Sequence, residues 1–258
     1  MVAAGDISPP RIGSQRQTSD LAIQLAPTRV LVLGDQQYPR GEISDFRRYY
    51  RPTWGRLKSK TYPVPGNHEY ASAGAAGYFE YFGARARPRG QSFYSVDLGT
   101  WHIVALDSNI ARGPGSAQLA WLGRDLRTTS KRCVLAFWHH PRFSSGTRHG
   151  DNRSVTPFWW MLYLRHADVV VNGHEHNYER FNRQSPRGHS TYRGIREFVV
   201  GTGGNSHYPF GRAEAHSEKR IANTYGVLQL VLHPASYEWK FVAVGGAVLD
   251  RGGPQRCH

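Results

Sequence analysis

Five short polar blocks contain the residues of this chain that are best suited to bind metal ions. Each block follows the end of an apolar run, and they read Gly5-Asp6, Gly34-Asp35-Gln36-Gln37-Tyr38, Gly66-Asn67-His68-Glu69, His139-His140-Pro141 and Gly173-His174-Glu175-His176. The blocks offer carboxylate and amide oxygens, imidazole nitrogens and one phenol, but no cysteine. Because these donors are too numerous for one cation, the simplest interpretation is two ions that share a ligand.

Asp35 is the natural shared ligand. A carboxylate between two cations neutralises both and holds them roughly 3.5 to 4 Å apart, the separation that two-metal hydrolysis uses. His174 and His176 are two residues apart, so in an extended segment they would point to the same side, whereas in a helix they would diverge. Three residues beside the candidate ligands have other expected roles. His140 is expected to support a ligand by a hydrogen bond, Glu175 to be a solvated side chain and Glu69 to be a loop charge.

Apolar runs and helical patterns predict the scaffold that positions these blocks. Buried strands are expected over residues 1–4, 30–33, 61–64, 101–106, 134–137, 169–171 and 198–200. Helices are expected over residues 14–25, 75–82, 118–127 and 157–166. Residues 225–248 predict two antiparallel strands around a turn at 233–236.

The order of these elements predicts an α/β fold, built either on one mixed sheet or on two sheets packed face to face with helices outside. All five polar blocks lie just past the carboxyl end of a predicted strand, which is the edge where open α/β sheets bind ligands. The chain of 258 residues has no linker-like stretch and no repeat. We therefore expect a single domain over residues 1–258, since a boundary between blocks would turn the site into an interface.

The formal net charge of +14, carried mostly by arginine, predicts attraction of anions. The arginines are scattered and no nucleic-acid recognition motif accompanies them, so we expect a small phosphorylated substrate rather than nucleic acid as the partner. No apolar run approaches the roughly 18 to 20 residues of a membrane span, so no membrane partner is expected. The first polar block begins too close to Met1 for a signal peptide.

The two cysteines, Cys133 and Cys257, are far apart in sequence and match no metal-binding spacing. One alternative is a disulfide that ties the C-terminal tail to a strand, which would imply an oxidising compartment. The other alternative is a pair of buried thiols.

The ordered set Asp6, Gly34-Asp35-x-x-Tyr38, Gly66-Asn67-His68-Glu69, the His139 block and Gly173-His174-x-His176 resembles the signature of calcineurin-like metallophosphoesterases. Tyr38, three residues after Asp35, resembles the purple acid phosphatase-like branch. The resemblance covers residues 5–180 and implies a four-layer α/β/β/α sandwich of two mixed sheets. It also implies a secreted or cell-envelope protein. The first block departs from the family pattern, because Ser8 stands where many relatives have glycine after the hydrophobic residue, here Ile7.

The resemblance also implies a ligand set for two metal ions. One ion, Fe(III) in that branch, would be held by Asp6, Asp35, Tyr38 and His176. The second, a divalent iron, zinc or manganese ion, would be held by Asp35, Asn67, His139 and His174. His139 is preferred over His140 because it lies two residues before Pro141, as the family's ligand does.

The implied activity is hydrolysis of phosphate monoesters by in-line attack of a metal-bound hydroxide, without a protein nucleophile. His68 would hydrogen-bond the phosphate or protonate the leaving oxygen. His149 resembles the family's substrate-contacting histidines, the alternative being an exposed loop histidine. Arg180 is predicted either to bind an anion or to form a structural salt bridge. The alternative functions are a phosphodiesterase on the same fold and a catalytically silent anion-binding protein.

Overall fold

The computed structural model describes residues 1–258, which form thirteen strands in two sheets, with helices on the outer faces. The strands are β1 Val2–Ala4, β2 Val30–Leu33, β3 Thr61–Val64, β4 Tyr94–Leu98, β5 Trp101–Ala105, β6 Cys133–Phe137, β7 Val169–Asn172, β8 Tyr178–Phe181, β9 Arg196–Val200, β10 Ser217–Ile221, β11 Gly226–His233, β12 Ser236–Ala243 and β13 Val248–Arg256. The α-helices are α1 Ser14–Gln24, α2 Ile43–Asp45, α3 Asn67–Tyr70, α4 Ala76–Phe82, α5 Ala117–Thr128 and α6 Thr156–Tyr163. Short 3₁₀ or π-helical turns cover Phe46–Tyr50, Trp54–Lys60, Ala73–Ala75, Gly83–Arg85 and Arg153–Val155.

Both sheets are mixed. The six-stranded sheet has the order β13-β12-β11-β1-β2-β3, and the seven-stranded sheet has the order β10-β8-β9-β7-β6-β5-β4. Strands β1, β2 and β3 are parallel in the first sheet, and β5, β6, β7 and β9 are parallel in the second. The C-terminal strand β11 pairs antiparallel with β1, so the first sheet joins both ends of the chain.

Alternation of side chains along the strands produces the four layers. In β2, Leu31 faces a core shared by the two sheets, whereas Val32 faces a second core with helices α1 and α4. In β6, Leu135 faces the shared core, whereas Ala136 faces a third core with α5 and α6. The layers therefore follow the order α/β/β/α, which confirms the predicted fold class.

The predicted helices and strands are confirmed to within three residues of their ends. The Ser116 hydroxyl accepts a hydrogen bond from the Leu119 N–H at 3.3 Å and so caps α5, whose Leu122 and Leu126 are buried. The C-terminal hairpin pairs His233 with Ser236, as the turn position predicted. None of the helices combines the length and the apolar character needed to cross a bilayer.

Sequence patterns missed four strands, β4, β8, β10 and β13. Three of them, β4, β10 and β13, are edge strands, which are partly exposed and need little apolar sequence. β10 reads Ser-Glu-Lys-Arg-Ile, and β13 contains Gly252, Gly253 and Pro254, which argue against a strand except at an edge. β8 carries two charged residues between its buried aromatic ends.

The two cysteines form a disulfide, so the first alternative is confirmed and the pair of buried thiols was wrong. The bond joins Cys133, the first residue of β6, to Cys257 at a Cα–Cα distance of 5.4 Å across 124 positions in sequence. It ties the C-terminal segment to the amino end of the parallel strands in the second sheet.

Candidate metal centre

The five polar blocks meet at one edge of the sandwich, where the carboxyl ends of the parallel strands of both sheets come together. The first three blocks follow β1, β2 and β3, and the last two follow β6 and β7. Two hydrogen bonds join the sheets at this edge. The Gly5 N–H donates to the Val200 carbonyl at 2.9 Å, and His139 Nδ1 donates to the Leu33 carbonyl at 2.8 Å. Side chains from both sheets therefore converge, as the strand-end positions predicted.

The first group of converging atoms surrounds the phenol oxygen of Tyr38. This oxygen lies 3.0 Å from Asp6 Oδ1, 3.1 Å from Asp35 Oδ2 and 3.0 Å from His176 Nε2. All four side chains are buried. The structure thus brings together the four residues that sequence analysis assigned to one ion.

The second group surrounds Nε2 of His139. This nitrogen lies 3.1 Å from Asn67 Oδ1, 3.1 Å from His174 Nδ1 and 3.4 Å from Asp35 Oδ2. These are the four residues assigned to the other ion. Asp35 Oδ2 belongs to both groups, which is the arrangement expected of a bridging carboxylate.

Backbone carbonyls set which imidazole nitrogens face the site. Nδ1 of His139 contacts the Leu33 carbonyl, and Nδ1 of His176 lies 2.6 Å from the Ser206 carbonyl. A carbonyl only accepts, so both Nδ1 atoms carry hydrogen and Nε2 is the atom directed toward the other donors. In both imidazoles, Nε2 is thereby oriented for a metal ion.

Three of the converging residues have left-handed backbone angles, which non-glycine residues adopt at a cost of about 1–3 kcal/mol. The φ angles are 58° at Asp6, 49° at Asp35 and 73° at His174. The segment at His174 is therefore a turn, which is neither of the two conformations, extended or helical, considered from its sequence. The His174 N–H donates to Asp6 Oδ2 at 2.8 Å, which fixes this turn beside the first block.

Glycines allow the blocks to approach one another closely. Gly34 has a φ of +89°, and a Cβ at this position would lie 2.5 Å from Nδ1 of His139. A Cβ at Gly173 would lie 2.7 Å from Oδ2 of Asp6. Any larger residue at either position would displace a predicted ligand, so the backbone forms a cradle fitted to these donor groups.

Asp35 and His139 attract each other strongly as opposite charges within the site. Burial raises the pKa of Asp35, but the charges of His139 and His68 outweigh burial and hold it below its usual range. Burial lowers the pKa of His139, but Asp35 outweighs burial and raises it to about 9. A cation would replace the proton that His139 holds, so we expect metal affinity to fall as the pH falls. Burial and the His139 charge lower the pKa of His174, which keeps it neutral for metal binding.

A sequence model of the family described as calcineurin-like phosphoesterase matches residues 3–178, the part of the chain that contains all five blocks. The chain belongs to the calcineurin-like phosphoesterase family. Its curated relatives include purple acid phosphatase 15 of Arabidopsis thaliana, which is 30% identical over 211 residues, 67% of this chain and 40% of the relative. Another is Fe(3+)-Zn(2+) purple acid phosphatase 12 of the same plant, 28% identical over 210 residues, 69% of this chain and 44% of the relative.

Solved structures show the same fold. The purple acid phosphatase from seeds of yellow lupin (Lupinus luteus) superposes with a TM-score of 0.81 at 18% identity, covering 97% of this chain and 52% of that one. GAP50, the anchor in the inner membrane complex of Plasmodium, has a TM-score of 0.77 at 13% identity, covering 100% and 88%. The matches confirm the purple acid phosphatase-like branch. The chain spans less than half the length of the two curated relatives named above.

Glu69 supports the candidate metal centre, and the prediction of a loop charge was wrong. Its carboxylate is buried and accepts backbone N–H groups of Asp35 at 2.9 Å, Gln37 at 3.1 Å and Gly66 at 2.7 Å. Burial, and after it the charge of Asp35, raises the pKa of Glu69 to about 8. Glu69 thus holds the loops after β2 and β3 in register with each other.

Glu69→Gln is expected to destabilise the protein by about 1–3 kcal/mol, because the side-chain amide can accept fewer of the three backbone donors and leaves the rest unpaired. Misplacement of Asp35 should also weaken metal binding about 10-fold to 100-fold, the usual effect of losing a group that orients a metal ligand. Urea unfolding and titration with zinc measure the two effects. The matched control is Glu80→Gln, which alters an exposed ion pair with Arg47. Equal stability and equal metal affinity in the two variants would rule out the supporting role.

Glu175 connects the last block to the loop that carries His149, so its prediction as a solvated side chain was also wrong. Its buried carboxylate accepts the backbone N–H groups of His149 at 2.6 Å and Gly150 at 2.7 Å. The His149 ring stacks on the His174 ring with centroids 4.0 Å apart. The structure therefore brings His149 to the site, although its side chain is exposed on one side.

His68 lies at the rim of the site. Its Nδ1 donates to the Pro39 carbonyl at 2.6 Å, and its Nε2 lies 3.9 Å from Asp35 Oδ2. The side chain is 36% exposed. Its Nε2 is therefore accessible from solvent beside the shared carboxylate.

Two other candidate residues have structural partners. His140 Nδ1 lies 2.8 Å from Ser108 Oγ, which agrees with a supporting role beside His174. The Arg180 guanidinium donates to Asp250 at 2.7 and 3.1 Å and also pairs with Glu218. The salt-bridge alternative for Arg180 is therefore confirmed, and its prediction as an anion-binding residue is corrected.

Two contributors to the site were missed in the sequence. The Tyr208 ring stacks on the His176 ring with centroids 3.9 Å apart and an angle of 11°. The Ser206 carbonyl orients the same imidazole. Both lie in the irregular segment between β9 and β10, where no motif marks them, and a main-chain carbonyl leaves no signal in residue type.

Proposed function

We propose that this protein hydrolyses phosphate monoesters at a dinuclear metal centre. The observation that carries the proposal is the position of Asp35 Oδ2, which lies 3.1 Å from Tyr38 Oη and 3.4 Å from His139 Nε2. One oxygen atom thus belongs to both groups of donors. A single carboxylate oxygen so placed would serve two cations at once, whereas an ordinary buried carboxylate needs only one partner.

The two donor sets differ in chemistry and fit different ions. The set of Asp6, Asp35, Tyr38 and His176 contains two carboxylates and a phenol, which suit a hard trivalent ion such as Fe(III). The set of Asp35, Asn67, His139 and His174 has less negative charge and two imidazoles, which suit a divalent iron, zinc or manganese ion. The name of one relative, Fe(3+)-Zn(2+) purple acid phosphatase 12, supports such a pair. When bound, the cations would polarise the phosphate ester and acidify a water molecule.

Two histidines at the solvent side of the centre would bind the substrate. His68 presents Nε2 beside Asp35, where it can hydrogen-bond a phosphoryl oxygen or transfer a proton to the leaving oxygen. His149 is held over His174 by Glu175, and burial lowers its pKa, so near neutral pH it would contact the phosphate as a neutral donor. The net charge of +14 would favour the approach of a phosphorylated substrate.

Hydrolysis of p-nitrophenyl phosphate and of bis(p-nitrophenyl) phosphate by the metal-loaded protein tests the proposal. We expect kcat/KM for the monoester to exceed that for the diester by at least about 10-fold, because the diester lacks one negative charge where two cations bind phosphate. A preference for the diester would indicate a phosphodiesterase. Two bound metal ions with no turnover of either ester would instead indicate a silent anion-binding protein.

A further inference from the structure

A basic cleft of about 560 Å³ lies at the opposite edge of the seven-stranded sheet from the metal centre. We call it the C-terminal basic cleft, and its lining residues include Arg132, Arg183, Tyr192, Gln255, Arg256 and His258. Three separate segments of the chain contribute these side chains. The cleft lies beside the disulfide, because Cys257 is also part of its wall.

The course of the strands separates this cleft from the metal centre. Arg132 directly precedes β6 and His139 follows it, so the two positions are seven residue steps apart along one strand direction. At about 3.3 Å per residue in a parallel strand, this corresponds to roughly 20 Å. Arg183 follows β8, which runs antiparallel to β9, so it reaches the same remote edge. A ligand in the cleft would therefore not touch the metal ligands.

The three arginines of the cleft have no carboxylate partner. The ion pairs of the protein involve other arginines, namely Arg40, Arg47, Arg56, Arg142, Arg180 and Arg196. The guanidinium groups of Arg132, Arg183 and Arg256 thus have unused donors. An arginine fork matches the geometry of phosphate or sulfate oxygens.

The acidic side chain beneath the cleft does not neutralise it. Asp168 is buried and accepts the backbone N–H groups of Val134 and His258, each at 2.9 Å. Burial raises the pKa of Asp168 to about 7, although Arg132 and Arg183 act in the opposite direction. Each of its carboxylate oxygens thus accepts a backbone N–H, and Asp168 forms no ion pair with an arginine of the cleft.

An exposed aromatic ring completes the cleft. Tyr192 is 70% exposed. Its ring centroid lies 5.9 Å from the Arg183 guanidinium carbon and 6.1 Å from the centroid of the His258 ring. A large exposed aromatic beside unpaired guanidinium groups offers an apolar contact for the scaffold of a ligand whose charged groups bind the arginines.

We propose that the C-terminal basic cleft binds a small ligand that carries several phosphate or sulfate groups. The cleft is lined by three arginines from separate segments, and none has a carboxylate partner. We therefore expect the ligand to carry more than one anionic group. This site is independent of the metal centre, so the proposal stands whether the protein hydrolyses monoesters, diesters or neither.

Isothermal titration calorimetry of the metal-loaded protein tests the proposal, with sucrose octasulfate and inorganic tripolyphosphate as probes. The double variant Arg132→Ser/Arg183→Ser should bind the better probe at least about 10-fold more weakly than wild type, because it loses two charge-assisted contacts. The matched control Arg85→Ser/Arg89→Ser removes the same charge from another exposed arginine run and should change the affinity less than about 2-fold.

The variant Arg132→Lys/Arg183→Lys keeps the charge and should retain part of the affinity, which separates the bidentate contribution from the charge. All three double variants should keep the wild-type circular dichroism spectrum and urea unfolding midpoint, which verifies that they are folded. Comparison of the two probes identifies whether phosphate or sulfate is preferred. Equal loss of affinity in the two serine variants, or no binding of either probe by wild type, would overturn the proposal.

Discussion

Asp35→Asn is expected to lower phosphatase activity by at least about 1,000-fold, the equivalent of about 4 kcal/mol of transition-state stabilisation. Oδ2 of Asp35 lies within reach of both donor groups, and a neutral amide cannot neutralise two cations. The fold should survive, because the carboxamide oxygen can still accept the His68 N–H, which Oδ1 now accepts at 2.9 Å. A steady-state assay with p-nitrophenyl phosphate, together with a circular dichroism spectrum, measures both effects.

The matched control is Asp20→Asn, which changes a surface carboxylate that pairs with Arg56. This variant should keep essentially wild-type activity, since an exposed ion pair contributes roughly 0–1 kcal/mol to stability and lies outside the site. Wild-type activity in Asp35→Asn would refute the bridging assignment. A loss of activity accompanied by unfolding would leave Asp35 as a structural residue only, which also contradicts the account.

Loss of the disulfide is expected to lower the free energy of unfolding by about 4 to 5 kcal/mol, the chain-entropy contribution of a loop of this size. The bond closes a loop across 124 positions between the amino end of β6 and the C-terminal segment. Urea unfolding of the Cys133→Ser/Cys257→Ser variant, followed by circular dichroism, measures the change.

Reduced wild type should match this double variant, and a reductant should not alter the variant itself. Phosphatase activity under native conditions should change little, because β6 separates the disulfide from His139 at its other end. A destabilisation below about 1 kcal/mol would show that the C-terminal segment is held by its other contacts rather than by the disulfide.

The sequence was sufficient to predict the convergence of the metal ligands because each candidate lies at a strand end and has a side chain with few structural uses there. Asp35 and His139 belong to different sheets, yet both follow parallel strands that end at the same edge. The boundaries of β2 and β6 could also be predicted from the sequence, because both strands are uniformly apolar and buried. Periodicity and strand direction together place such residues without knowledge of contacts.

The supporting residues could not be predicted, because their roles depend on contacts that residue type does not specify. Glu69 and Glu175 have the sequence context of exposed charges, but each is buried and accepts backbone N–H groups from a loop distant in sequence. The turn at His174 could not be predicted from the sequence either, because its left-handed backbone angle accompanies a hydrogen bond to Asp6, which is distant in sequence. Edge strands such as β10 were not predicted, because backbone pairing with a neighbouring strand rather than a hydrophobic sequence defines them.

Metal content per chain tests the central claim most directly. Elemental analysis of the purified, active protein after exhaustive dialysis should give two metal ions per chain, held by donor groups that share Asp35. A fully active protein that contains one metal ion per chain, or none, would contradict the account.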